Sequence, residues 1–118
     1  MKKFEILETA TGFKFRLKAA NGETIATSEI YQTTAACKKG IQSVSQCAAR
    51  AKVADLTVGG KASNPKFELY EDKAGKFRFR LKARNGKIVA VSEGYQTKAA
   101  CENGIDSVRK NAADEEHR

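Results

Sequence analysis

The feature that most constrains this chain is an internal repeat. Asn21-Gly22 recurs as Asn85-Gly86, Cys37 as Cys101 and Gly40-Ile41 as Gly104-Ile105, always 64 residues apart. Between positions 13 and 49 roughly 60% of residues are repeated identically, far beyond chance self-similarity. Upstream the separation drops to 63, with Phe4 matching Phe67, so the second copy carries one extra residue after Gly75. Between the copies, Val58-Gly59-Gly60-Lys61-Ala62-Ser63-Asn64-Pro65 reads as a linker, with two glycines and the only proline. The expected organisation is one domain over 1–118, with a first repeat at 3–57, a linker at 58–65 and a second repeat at 66–114.

Within each copy the hydrophobic period changes from 2 to 3.6. Phe4 and Ile6 alternate with Glu5 and Leu7, and a turn ends at Gly12. Phe13-Lys14-Phe15-Arg16-Leu17-Lys18 is a strict apolar/basic alternation, the pattern of a half-buried strand. Asn21-Gly22 predicts a two-residue type I′ hairpin turn, which needs positive φ at both central residues. A third strand is expected at about 23–28, then a helix capped by Thr33. Ala36, Gly40, Ile41, Val44 and Ala48 form its apolar stripe. A mid-helix glycine costs about 1 kcal/mol against alanine, yet Gly104 repeats Gly40, which predicts a close approach of the helix backbone to the sheet. Residues 52–57 suit a fourth strand in the first copy. The matching end of the second, Ala112-Ala113-Asp114-Glu115-Glu116-His117-Arg118, is too polar for one and predicts a frayed tail.

A unit of about 50 residues with three strands and one helix is marginal alone. Two units pooling one sheet and one core resolve that. The fold class is α+β: two tandem β3-α-β repeats forming one continuous antiparallel sheet, both helices on one face, with pseudo-twofold symmetry.

Ser28-Glu29-Ile30-Tyr31-Gln32-Thr33 and Ser92-Glu93-Gly94-Tyr95-Gln96-Thr97, each followed by Ala-Ala-Cys-x-x-Gly-Ile-x-Ser-Val, resemble the signature of the YegP-like family. The upstream Phe-x-Phe-Arg-Leu-Lys-Ala strand and the Asn-Gly turn match as well, so the resemblance covers nearly the whole chain. It implies β3-α-β units, as tandem repeats or as dimers of single units, assembled on one sheet with exchanged C-terminal strands. The family is bacterial, and the resemblance implies no activity.

The net charge of +8, from 22 Lys+Arg against 14 Asp+Glu, draws attention to a basic ladder. Lys14, Arg16 and Lys18 share one strand face; Lys76, Arg78, Arg80, Lys82 and Arg84 extend it in the second copy. This face could serve an anionic ligand or a nucleic-acid backbone, with Tyr70 to stack a base. The competing reading is a solvated, charge-paired face. A two-residue loop pairs Lys18 with Ile25, Arg16 with Thr27 and Lys14 with Glu29, and likewise Lys82 with Val89, Arg80 with Val91 and Arg78 with Glu93. Placing Phe4 and Ile6 beside Phe15 and Leu17 puts Glu5, and Glu68 in the second copy, among the cations. These carboxylates favour the charge-paired reading.

A second candidate site is the entrance to each helix, where Tyr31 with Thr33, and Tyr95 with Thr97, could line an anion pocket. A packing role for the tyrosine rings is favoured. Cys37 and Cys101 have no histidine partner and read as small buried hydrophobes, with Cys47 an unpatterned third thiol. No catalytic, cofactor or metal-binding residues are assigned, and an enzyme is the weakest reading. Met1-Lys2-Lys3-Phe4-Glu5-Ile6 carries no apolar export core, and no apolar run could span a bilayer. The expectation is a cytoplasmic monomer, a tandem pseudo-dimer without membrane contact. It acts as a binding or interaction module for an anionic ligand, with weak, salt-sensitive nucleic-acid binding as the alternative.

Overall fold

The structure, a computed structural model, describes the backbone of residues 4–116 and the side chains of residues 4–112. Strands β1 (Phe4–Thr9), β2 (Gly12–Lys18) and β3 (Thr24–Thr27) are followed by helix α1 (Thr34–Ala48) and strand β4 (Lys52–Asp55). A short 3-10 turn at Leu56–Val58 leads into the second copy: β5 (Lys66–Glu71), β6 (Phe77–Lys82), β7 (Ile88–Val91) and helix α2 (Lys98–Glu116).

Among the described residues all strands join one seven-stranded sheet in the order β1-β2-β3-β7-β6-β5-β4. The copies meet antiparallel at Thr27 opposite Val91, near the pseudo-twofold axis. The sheet is mostly antiparallel. The exception is β4, which crosses the molecule and lies parallel to β5, with Val53 beside Phe67 and Asp55 beside Leu69.

The alternation of each strand decides its two faces. Phe4 lies opposite Leu17 and Ile6 opposite Phe15, as the apolar pattern requires, and Phe67/Leu81 and Leu69/Phe79 repeat this. These side chains face the helices. Phe15, Leu17, Phe67, Leu69, Phe79 and Leu81 are wholly buried with Cys37, Val44, Cys101, Ile105 and Val108. Burying each large side chain contributes about 1.5–3 kcal/mol. The edge-to-face rings repeat closely: Phe4–Phe15 centroids stand 5.7 Å apart at 74°, Phe67–Phe79 5.8 Å apart at 76°. Each helix also touches strands of the other copy, and the two helices pack on one another.

Three local expectations are corrected. The Asn-Gly turns are not type I′, because among the described residues none other than glycine has positive φ, while Gly22 and Gly86 stand at 88° and 85°. The Gly22 amide donates to the Ala19 carbonyl and the Ala19 amide to the Glu23 carbonyl, giving a type I turn closed by a left-handed glycine. That longer loop brings a bulge, so Lys18 lies opposite Thr24 and Lys82 opposite Ile88, rather than Ile25 and Val89. The third correction is at the C-terminal end, where α2 stays helical through Glu116 instead of fraying. His117 and Arg118 lie outside the described residues.

Candidate functional site

With both helices behind the sheet, the opposite face carries the remaining positions of every strand. Arg16 and Lys18 from β2 and Arg78, Arg80 and Lys82 from β6 all lie on it. Glu5 and Glu68 stand directly opposite Arg16 and Arg80. Glu5 pairs with Arg16 and, at 3.4 Å, with Lys18. Glu68 accepts from Arg80 at 2.7 Å and also pairs with Lys66 at 3.3 Å and Lys82 at 3.4 Å. Asp72, in the β5–β6 turn, holds Arg78 at 2.7 Å, and that guanidinium also reaches the Ser92 carbonyl at 3.3 Å. Six cations therefore share three carboxylates, and the face keeps a net positive charge.

These pairs set the titration of the acids. Burial pushes the Glu68 carboxyl up, but Arg80, Lys66 and Lys82 more than offset that and hold it below its ordinary value. The Arg16 guanidinium keeps Glu5 low, and the Arg78 guanidinium does the same for Asp72. All three acids are thus charged at neutral pH, and the ladder is ordered by them. Ile25 and Val89, the residues skipped by the register shift in β3 and β7, are only 7% and 8% exposed and belong to the hydrophobic core.

Other parts of the ladder fall elsewhere. Lys14 lies opposite Leu7 and makes no ion pair among the described residues. Lys76 precedes β6, with its side chain against Gly94. Arg84 sits exposed in the β6–β7 turn, off the strand row. Tyr70 is on the face, but one side of its ring is covered by Arg80, whose guanidinium carbon is 4.8 Å from the centroid. Two cations missing from the sequence-based ladder join it, Lys66 and Lys52, side by side on β5 and β4. Their alternation signal was available, but the crossing of β4 that brings Lys52 there was not. Lys52 also lines an open cleft of about 440 Å³ with Arg50, Lys61, Ser63 and Asn64.

At the helix entrances the signature residues build the fold. The Ser28 hydroxyl accepts from the Phe15 amide, and Ser92 accepts from Phe79, each at 2.9 Å. Thr33 accepts from the Ala36 amide and Thr97 from the Ala100 amide, both at 3.0 Å, so both threonines cap their own helices. Tyr31 stacks on Phe15 at 6.2 Å and Tyr95 on Phe79 at 6.3 Å. Their hydroxyls lie over the helix glycines: a Cβ on Gly40 would stand 2.4 Å from the Tyr31 oxygen, and one on Gly104 2.5 Å from that of Tyr95. The glycines are thus required by the tyrosine rings rather than by the sheet backbone. Burial raises both phenols. Burial also raises the Cys37 thiol and pushes Cys101 up to about 11, so both are protonated at neutral pH. Among the described residues no three His, Cys, Asp or Glu side chains gather to hold a metal ion, and no helix is long and apolar enough to cross a membrane.

A seven-stranded sheet built from two copies, backed by two helices and fronted by shared ion pairs, defines a class of tandem-repeat α+β protein. Residues 9–55 and 72–118 each match the family described as Domain of unknown function (DUF1508). The chain belongs to this family, whose full-length relatives are called UPF0339 proteins. It is 40% identical to the UPF0339 protein YegP of Shigella flexneri over 112 residues, covering 92% of this chain and 87% of that one. A UPF0339 protein of Treponema denticola is 65% identical over 49 residues, which is 42% of this chain but 84% of that protein, so that relative is about one copy long. The solution NMR structure of the Escherichia coli protein of unknown function yegP superposes with a TM-score of 0.76 at 36% identity, covering 93% of this chain and 84% of that one. The UPF0339 protein SO3888 of Shewanella oneidensis gives 0.75 at 34%, covering 92% and 82%. None of these descriptions assigns a catalytic activity.

Proposed function

We propose that this protein is a non-catalytic binding module whose bare sheet face takes an extended anionic partner. The observation that carries this is the sharing of three carboxylates among six cations on the face no helix covers. The Glu5 pairs are open to solvent and screened, so an incoming anion can replace that carboxylate at little cost, while the buried Glu68 keeps its cations in place. Meanwhile the existing pairs hold Arg16, Arg78 and Arg80 extended across the sheet, which reduces the ordering entropy of binding. The entrance residues Tyr31, Thr33, Tyr95 and Thr97 serve the fold in this reading, as ring wedges and caps. Catalysis plays no part in it: the Cys37 and Cys101 thiols are buried and protonated, and among the described residues no acid–base pair lines the open cleft.

The test is fluorescence anisotropy with two labelled probes, a single-stranded oligonucleotide and an acidic peptide, across a salt series. At about 50 mM salt at least one probe binds, and log K falls linearly with log salt. Replacing Arg16, Arg78 and Arg80 by alanine together abolishes the binding. The oligonucleotide binding alone would make nucleic acid the partner class. Binding of neither probe at about 50 mM salt overturns the proposal.

A further inference from the structure

We propose that the outer edge of β1 is a docking site for one extended polypeptide segment, added parallel to β1 as β4 is added to β5. This proposal is independent of the cationic face. Strands β1 and β5 are counterparts: Phe4 matches Phe67, Glu5 matches Glu68, Ile6 matches Leu69 and Leu7 matches Tyr70. They pair with β2 and β6 in the same register. Yet β5 is covered on its outer side by β4, whereas β1 is the last strand of the sheet. The asymmetry arises after the helices. Helix α1 ends at Ala48 and the chain enters β4 at Lys52, while the matching positions 112 and 116 are still within α2.

The uncovered edge differs from its counterpart in burial. Side-chain exposure is 43% for Glu5 but 7% for Glu68. Ile6 is half-buried where Leu69 is wholly buried, and Phe4 keeps 8% where Phe67 keeps none. The backbone is also available. Phe13 exchanges hydrogen bonds with Tyr31, and the Phe15 carbonyl accepts from Ser28, so these residues face β3. Lys14 and Arg16 therefore face β1 and bond Leu7 and Glu5. By alternation, the N–H and C=O groups of Phe4, Ile6 and Glu8 point outward, where no described strand lies.

Strand β4 shows what such an edge accepts. Val53 lies beside Phe67, Ala54 beside Glu68 and Asp55 beside Leu69. Ala54 is only 1% exposed, so the middle position takes a small residue. Transposed to β1, the occupant sets an apolar residue beside Phe4, a small one beside Glu5 and a polar one beside Ile6. On β5 the segment is further anchored from α2, by Lys98 to Asp55 at 3.0 Å and by Arg109 to the Ala51 carbonyl at 2.6 Å. The matching positions of α1 are Thr34 and Ser45, so on β1 the third residue need not be acidic. A second copy is the less suited occupant: the outward groups of two β1 strands can meet antiparallel about Ile6, which sets the apolar Phe4 of each opposite the charged Glu8 of the other.

The probe is a synthetic peptide with the sequence of residues 50–58, titrated to about 1 mM into the isotope-labelled full chain. Amide resonances of Phe4, Ile6 and Glu8 shift, and their hydrogen exchange slows at least tenfold. An Ala54→Phe change in the peptide weakens binding at least tenfold while leaving the protein untouched. In the protein, Glu8→Pro removes an outward donor at an exposed edge position, which a strand edge tolerates, and lowers affinity to a similar extent. The idea fails if β1 amides do not respond, if the shifts fall on β5 instead because the peptide has displaced β4, or if the chain alone dimerises with its β1 amides already protected.

Discussion

Gly40 and Gly104 show how a single position can look unfavourable locally and be required by its surroundings. Alanine at Gly40 would gain about 1 kcal/mol in helix propensity. Its Cβ would also stand 2.4 Å from the Tyr31 hydroxyl oxygen, 2.8 Å from Cζ and 3.0 Å from a Phe15 ring carbon. Because the tyrosine is stacked on that same phenylalanine, it cannot retreat without opening the core. We expect Gly40→Ala to lose about 1–3 kcal/mol net, the usual penalty of overpacking, in urea denaturation. Adding Tyr31→Phe should recover part of the loss, since it removes the nearest clash and leaves the next. Full stability in the single variant would disprove the wedge. The repeated glycine was visible in the sequence as an anomaly with a packing cause, but the identity of the packing partner was not.

Among the elements, β4 is the one whose place depends most on distant contacts. It has four residues, and Val53 is 38% exposed, so apolar burial alone anchors it weakly. Arg109 compensates: its guanidinium donates to the Ala51 carbonyl and lies 5.4 Å from the Phe67 ring centroid. The first copy has Ser45 at this position. Arg109→Ala should therefore destabilise the protein by about 1.5–3 kcal/mol, the scale of a hydrogen bond from a charged group. It should also speed hydrogen exchange in β4 more than in β2 or β6. Lys98→Ala, which removes only a partly exposed ion pair, should cost less than about 1 kcal/mol. Equal acceleration across all strands would argue that β4 is not separately anchored.

For the molecule as a whole, the ion-paired face ties stability to pH. Glu5, Glu68 and Asp72 all have folded pKa values below their ordinary ones. Such groups stabilise fully above the unfolded carboxylate pKa, about 4, and that contribution is lost as pH falls through the lower folded values. The melting temperature should therefore hold from pH 7 to pH 5 and drop below about pH 4. Glu68 is the least exposed of the three and carries three cations, so Glu68→Gln should lower stability at pH 7 and flatten the drop between pH 5 and pH 3. An acid transition as steep as the parent's in that variant would place the responsible carboxylates elsewhere. High salt should change little of this for Glu68, which is 7% exposed, and more for Glu5.

Much of the architecture is written in short-range pattern. The repeat, the period-2 strands, the Thr33 cap and the placement of Glu5 and Glu68 among the arginines all follow from neighbours in sequence or from one hairpin register. Local chemistry decides those features, and each copy states them independently. Tertiary structure decided the rest: the parallel seat of β4 on β5, the arrival of Lys52 and Lys66 on the cationic face, and the bulges that moved Lys18 and Lys82 by one partner. It also decided that the second copy continues as helix where the first turns into a strand. Lys52-Val53-Ala54-Asp55 has too few residues, and too little alternation, to name its neighbour. Only the assembled sheet, with Arg109 and Lys98 waiting on the far helix, gives that segment a lower free energy there than in solvent.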